Sequence, residues 1–312
     1  MRVTQNLFSE SLVSRLNSLT ARQYGLQSQV SSGLRISAPS DDPAAMQNVL
    51  NYKTSQAAQA QYAGNISTLQ ARAASTYSVL QQLQTISSDV SVIATGAGDV
   101  IQSDLSVYAG KVSDAIEAAL AQVNKKDPAT GQYFFGGTNS SQPPFVATRD
   151  ASGKVTGVAY QGNTLVNDSE IAAGSTVTTD VPGANTSGSG PRGLITDGIS
   201  GADFFNHLIS LRAHLLANDK AAINSTDTAA LQKDENNILY QISVNGSLQS
   251  RLETAATAAG DSAATLDKLI SHAADANLVQ TMVQLNQAQN SYQAALQSGA
   301  KIMQMSLLNY IQ

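Results

Sequence analysis

Two histidines, His207 and His214, stand seven residues apart in a stretch of helical pattern and so share one helix face, two turns from each other. Imidazole is the side chain best suited to metal ligation or proton transfer near neutral pH. A helical metal pair is normally spaced i, i+4 and completed by further ligands, and no Asp or Glu in the run 203–217 completes such a site. Both histidines are therefore expected to be structural or surface residues. The chain has no cysteine, which excludes disulfides, thiolate metal sites and cysteine nucleophiles together. It contains no nucleophile elbow, phosphate loop or carboxylate dyad, and FFGGT at 134–138 has too few glycines for a dinucleotide fingerprint. The expectation is a protein that is not an enzyme, with no catalytic, cofactor-binding or metal residues.

A second concentration of reactive types lies in SSGLRISAPSDDPAA at 31–45, where Ser32, Gly33, Arg35, Asp41, Asp42 and Pro43 interrupt two long helical patterns. Gly33 suits a helix end, because glycine reaches positive φ without steric cost. Pro43 suits the first position of a helix, where its missing N–H is no loss, and Asp42 before it can accept from an orphan amide and complement the helix dipole. Pro39 stiffens the connector, and Arg35 is an ion-pair partner for the aspartates. Physics alone reads this stretch as a capped helix–loop–helix junction.

The elements on either side must position that junction. Leu12, Leu16, Leu19, Gln23, Leu26 and Val30 alternate spacings of four and three, the seam of a coiled coil with one polar position. A second helical pattern runs from about Ala44 to Ile93 with Ile66, Leu69, Ala73, Thr76, Leu80, Leu83, Ser87 and Val90 on one seam, stopped by Gly96 and Gly98. A third carries Leu105, Ala109, Val112, Ile116, Ala119 and Val123 and ends near Asp127-Pro128, because the residue before proline is pushed out of the helical region. In the middle, aromatics gather with Gly and Pro. PFVATRDASGKVTGVAYQG reads as a β-hairpin, GSTVTTDVPG as one more short strand, and GANTSGSGPRG as a flexible connector. Helical pattern returns near Ala202 and dominates from about Thr226, with Ile238, Ile242, Leu248, Leu252, Leu266 and Leu269 as core positions.

The last stretch, 276–312, carries one charged side chain, Lys301, yet Leu278, Met282, Leu285, Tyr292, Leu296 and Met303 hold helical spacing, followed by Leu307 and Leu308. A helix apolar on one stripe and uncharged elsewhere has little reason to face water. Burying each large apolar side chain is worth about 1.5–3 kcal/mol, so such a seam drives association. The two chain ends are thus expected to be assembly elements that meet each other. The fold expected is mainly α, a long helical coiled-coil rod formed by both chain termini with a small β-rich domain inserted in the middle. Its segments are an N-terminal assembly helix (1–33), a helical rod half (34–130), the β-rich insertion (131–200), the returning rod half (201–275) and a C-terminal assembly helix (276–312).

Composition narrows the partners. Charged residues are 13% of the 312, against about 25% in ordinary globular domains, so the surface is built of Gln, Ser, Asn, Thr and Ala and tolerates being packed. A net charge of -5 without a Lys/Arg stripe argues against nucleic acid. Neither end carries an apolar run long enough for a signal peptide or a membrane span, so no membrane association is expected, and any departure from the cytoplasm takes another route.

The 31–45 stretch resembles the signature of the flagellin superfamily, in which Ser-Ser-Gly-basic-apolar closes the N-terminal helix and a double Asp opens the next. PSDDP, GQYFFGGTNSSQPPF before the hairpin and the terminal LLNYI are similar to the hook-associated protein 3 family, and VNGSLQSRLE at 244–253 resembles a Gly- and Arg-containing segment common to both families. The resemblance spans essentially the whole chain. DANLVQTMVQL keeps Asp275 but lacks the second acidic residue often found before the last helix. The resemblance implies an extracellular structural adaptor of the bacterial flagellum, joining the hook through hook-associated protein 1 to the flagellin filament. It implies self-association in a ring or short helical layer, export through the flagellar type III channel, and a cytoplasmic export chaperone. Flagellin itself, using the same terminal seams to build long filaments, is the alternative.

Overall fold

A computed structural model describes the backbone of residues 2–97 and 102–311 and the side chains of 10–97 and 104–301. The helices are α1 (Arg2–Ser32), α2 (Pro43–Gly96), α3 (Gln102–Val123), α4 (Phe204–Ala217), the single turn α5 (Lys220–Ala222), α6 (Thr228–Ala274) and α7 (Leu278–Ile311). A π turn, Ile223–Asp227, leads from α5 into α6. Ala is the commonest residue of both α2 and α6, and it loses no side-chain freedom in a helix. Among the described residues no helix is long and apolar enough to cross a membrane. Gly96 ends α2 as its position suggests, while Gly98 lies outside the described residues.

The chain divides into two compact units, Met1–Gln59 with Asp261–Gln312, and Ala60–Gly260. In the first, α1 lies against α7, and the α2 and α6 segments meet through Gln56, whose Nε2 donates to Asp267 Oδ1 at 2.5 Å.

In the second unit all eight seam residues expected on α2 and all six on α3 are buried. Seven strands make three small sheets. β1 (Phe145–Arg149) and β2 (Val155–Tyr160) form the expected antiparallel hairpin, with Asp150 Oδ1 accepting the Ser152 and Lys154 amides in its turn. β3 (Ser169–Ala172) pairs with β4 (Ser175–Val177), so the single strand expected there is a second hairpin. β5 (Ala184–Asn185) runs parallel to β6 (Thr196–Asp197), which is antiparallel to β7 (Ala202–Asp203).

Hairpins this small cannot enclose a core of their own. β1 and β2 instead contribute Phe145 and Val155 to a shared core with Leu105, Ile116, Phe135, Phe204, Leu208 and Leu211. The Phe145 ring lies 5.2 Å from Tyr160 and 5.8 Å from Phe205, spacings that favour tilted aromatic pairs. β3 and β4 lay Ile171 and Val177 on Ile66, Leu69, Ala73 and Leu252 in a second cluster. Arg72 fastens this region, pairing with Asp180 at 2.7 Å and lying over the Phe134 ring.

Two further expectations change. GANTSGSGPRG is not a free connector. Asn185 Nδ2 donates to the carbonyls of Ser189 and Pro191, and Asn237 Nδ2 donates to those of Gly193 and Leu194. A Cβ on Gly193 would collide with the Thr196 carbonyl and the Asn185 amide, so glycine here serves close backbone approach rather than flexibility. Leu269 is 40% exposed rather than a core residue, whereas Ile238 and Leu252 are buried and Ile242, Leu248 and Leu266 half-buried.

Candidate assembly interface

The two chain ends meet as an antiparallel pair with a constant register. Gln23 Nε2 donates to the Ala288 carbonyl at 3.1 Å, and a Cβ placed on Gly299 would lie 2.5 Å from Leu12 Cδ2. Eleven residues on along α1 is therefore eleven residues back along α7. The same register sets Leu16 opposite Ala295, Leu19 opposite Tyr292, Leu26 opposite Leu285 and Val30 opposite Thr281. All of these side chains are buried or half-buried, with Leu26 the most enclosed on α1. Large residues on α1 face mostly small ones on α7, which lets the backbones approach closely.

The α7 residues singled out by periodicity divide between two faces. Leu285 and Tyr292 face α1. Leu278, Met282 and Leu296 are 44%, 50% and 44% exposed and lie on an outer face with Val279 and Val283. Met303, Leu307 and Leu308 have side chains outside the described residues. Counting large apolar residues misses the inner face because Thr281, Ala288, Ala295 and Gly299 build it. The sequence signal that could have found it is their repeat of small residues at spacings of seven, seven and four.

The Ser32–Pro43 stretch joins the two halves of the chain. Gly33 turns at φ 73°, its amide donating to the Gln29 carbonyl, and Ser32 Oγ accepts the Leu34 amide. The chain then pairs with the end of α6: the Arg35 amide donates to the Ala274 carbonyl at 2.6 Å, and the Ala276 amide to the Gly33 carbonyl at 2.8 Å. Arg35 bridges further, one guanidinium nitrogen on the Ala273 carbonyl at 2.8 Å and the other 3.3 Å from Asp42 Oδ2. Helix α6 thus finds donors for its last carbonyls in a residue far away in sequence.

Both aspartates organise backbone. Asp42 Oδ1 accepts the Ala45 amide at 3.0 Å, the N-cap bond that starts α2 at Pro43. Asp41 Oδ2 accepts the amides of Ser37 and Ala38 at 2.9 Å and the Ser37 hydroxyl. The Ala38 and Ser37 amides hold the Asp41 carboxyl below the usual carboxylate range, and the Ala45 amide, then Arg35, do the same for Asp42. Across the junction Asn277 caps α7 by accepting the Gln280 amide, so an amide does the work where an acidic residue is missing.

Elsewhere, in the second unit, His207 and His214 each meet an aspartate that the 203–217 run does not contain. His207 Nδ1 lies 2.7 Å from Asp234 Oδ2, and His214 Nδ1 lies 2.7 Å from Asp227 Oδ2. Among the described residues no group of three or more His, Cys, Asp or Glu side chains could hold a metal ion.

Comparison with known proteins matches residues 3–140 to the bacterial flagellin N-terminal helical region. No curated protein sequence matches the chain. Among solved structures, a Vibrio parahaemolyticus protein described as a flagellar hook-associated protein aligns at 20% identity and TM-score 0.64, over 75% of this chain and 100% of its own. Legionella pneumophila flagellar hook-associated protein 3 aligns at 16% identity and TM-score 0.57, over 71% and 98%. Bacillus cereus FlgL gives the same identity and TM-score over 71% and 99%. Residues 3–140 thus match the bacterial flagellin N-terminal helical region, and the chain carries the fold of the flagellar hook-associated protein 3 structures.

Proposed function

We propose that this chain is a structural subunit of the bacterial flagellum, an adaptor at the junction between hook and filament. One observation carries the reading: two chain ends, tied together at Gly33–Arg35 and Ala273–Ala276, present α7 with large apolar residues on its outer face and Lys301 as its one charge. Leu278, Val279, Met282, Val283 and Leu296 on that face are suited to burial against further copies of the chain. A heterologous contact repeated by rotation builds a ring or a helical layer. In that position the adaptor would meet hook-associated protein 1 on one side of the layer and flagellin on the other. The absence of cysteine fits subunits exported unfolded, with a cytoplasmic chaperone covering the C-terminal region until then. The role is structural rather than enzymatic.

The match to flagellin's N-terminal helical region favours one second reading, a filament subunit. The purified chain separates them. An adaptor forms rings or short stacks at high concentration, whereas growth of filaments of indefinite length from this chain alone would overturn the adaptor reading in favour of flagellin.

A further inference from the structure

In the second unit, α4 returns the chain from the sheets and lies antiparallel to the π turn and the start of α6, held to them by two His–Asp rungs. His207 and His214 are seven residues apart on one side, and Asp234 and Asp227 are seven apart on the other. The aspartates are closed to water, with side-chain exposures of 0% and 2%, while the imidazoles keep one edge open at 24% and 30%. Each carboxylate has its second oxygen engaged. Asp234 Oδ1 accepts the Asp203 amide just before α4, and Asp227 Oδ1 accepts the Ser210 hydroxyl. A buried carboxylate bonded in this way calls for a positive partner, and a half-open imidazole can supply that charge by taking a proton from solvent.

We propose that the His207–Asp234 rung is a proton-operated clasp that fastens the head of α4 to α6, closed when His207 is protonated and loosened when that proton leaves. The charged groups facing His207 are Asp234 and Lys233 on α6 and Asp203 at the α4 N-cap. Asp203 is itself bonded to Thr196 and Asn206, so α4, α6 and β6 converge on one imidazole. The hydrogen bond to Asp234 raises the His207 pKa above its ordinary value, against burial and Lys233. By linkage, a raised folded value adds stability that is fully present below the unfolded value of about 6.5 and is lost as pH climbs through the folded one. The clasp is thus tight in mildly acidic surroundings and slack in alkaline ones. It does not rest on the flagellar reading.

The test uses the full chain. Thermal unfolding between pH 5 and pH 9 gives a midpoint that falls as pH rises, and His207→Gln flattens that fall. Asp234→Asn, nearly isosteric, provides the same test if the first variant folds poorly. Nuclear magnetic resonance of the imidazole nitrogens places the His207 titration above about 6.5 in the wild-type chain and lowers it in Asp234→Asn. An unchanged pH slope in both variants, or a His207 midpoint at or below that value, would overturn the clasp.

Discussion

At Gly33 the backbone turns left-handed with φ 73°, and an alanine there is strained whatever the surrounding space, by about 1 kcal/mol. Gly25, in the interior of α1 with open space around its Cα, has the opposite expectation, because alanine is the better helix former. Calorimetry on Gly33→Ala and Gly25→Ala should therefore move the melting temperature in opposite directions. Shifts of the same sign would show that the junction does not constrain the fold. The aspartates beside it make a pH prediction. Their folded values are lowered, so their contribution is present above the unfolded value of about 3.9 and fades as pH falls through the lowered ones. The amide resonances of Ser37 and Ala38 should follow Asp41 and that of Ala45 should follow Asp42, each with a midpoint below that figure. The residue types of this junction could be read from the sequence as caps, and Pro43, Asp42 and Arg35 take the places their chemistry suggests. What Arg35 holds could not be read, because the Ala273 carbonyl lies 238 residues away.

For the elements, the α1–α7 register makes separable predictions. Leu26→Ala removes the most enclosed α1 seam side chain and should cost about 2 kcal/mol, at the low end for a core leucine because the helix pair keeps some access to water. Leu19→Asp should leave the β1–β2 hairpin folded, as read by its amide resonances, and abolish incorporation into flagella. Met282→Ser acts on the other face. It should leave the melting temperature of the purified chain nearly unchanged and still lower incorporation, whereas a loss of stability equal to that of Leu26→Ala would place Met282 in the seam. Large apolar residues at regular spacing made α2, α3 and the α1 seam readable. Small residues hid the α7 seam at Thr281, Ala288, Ala295 and Gly299. Glycine and serine hid the structure at Gly193 and Asn185, because a composition that suits a flexible linker also suits tight backbone packing. A tag inserted after Gly188 should therefore destabilise the chain, since it separates Asn185 from the Ser189 and Pro191 carbonyls it holds.

Over the whole molecule, the plan of helices, small sheets and helices again was readable because composition changes sharply at the aromatic and Pro/Gly-rich middle. That the sheets share a core with α2, α3, α4 and α6 was not, since periodicity describes one element at a time and Phe145 meets Phe205 only in the fold. An adaptor occupies one place on the flagellum, and immunogold electron microscopy of flagella from the source cell, with antibody against residues 145–182, locates it. A single labelled band where hook meets filament is the predicted result. Label along the whole filament would contradict the adaptor and make this chain a filament subunit.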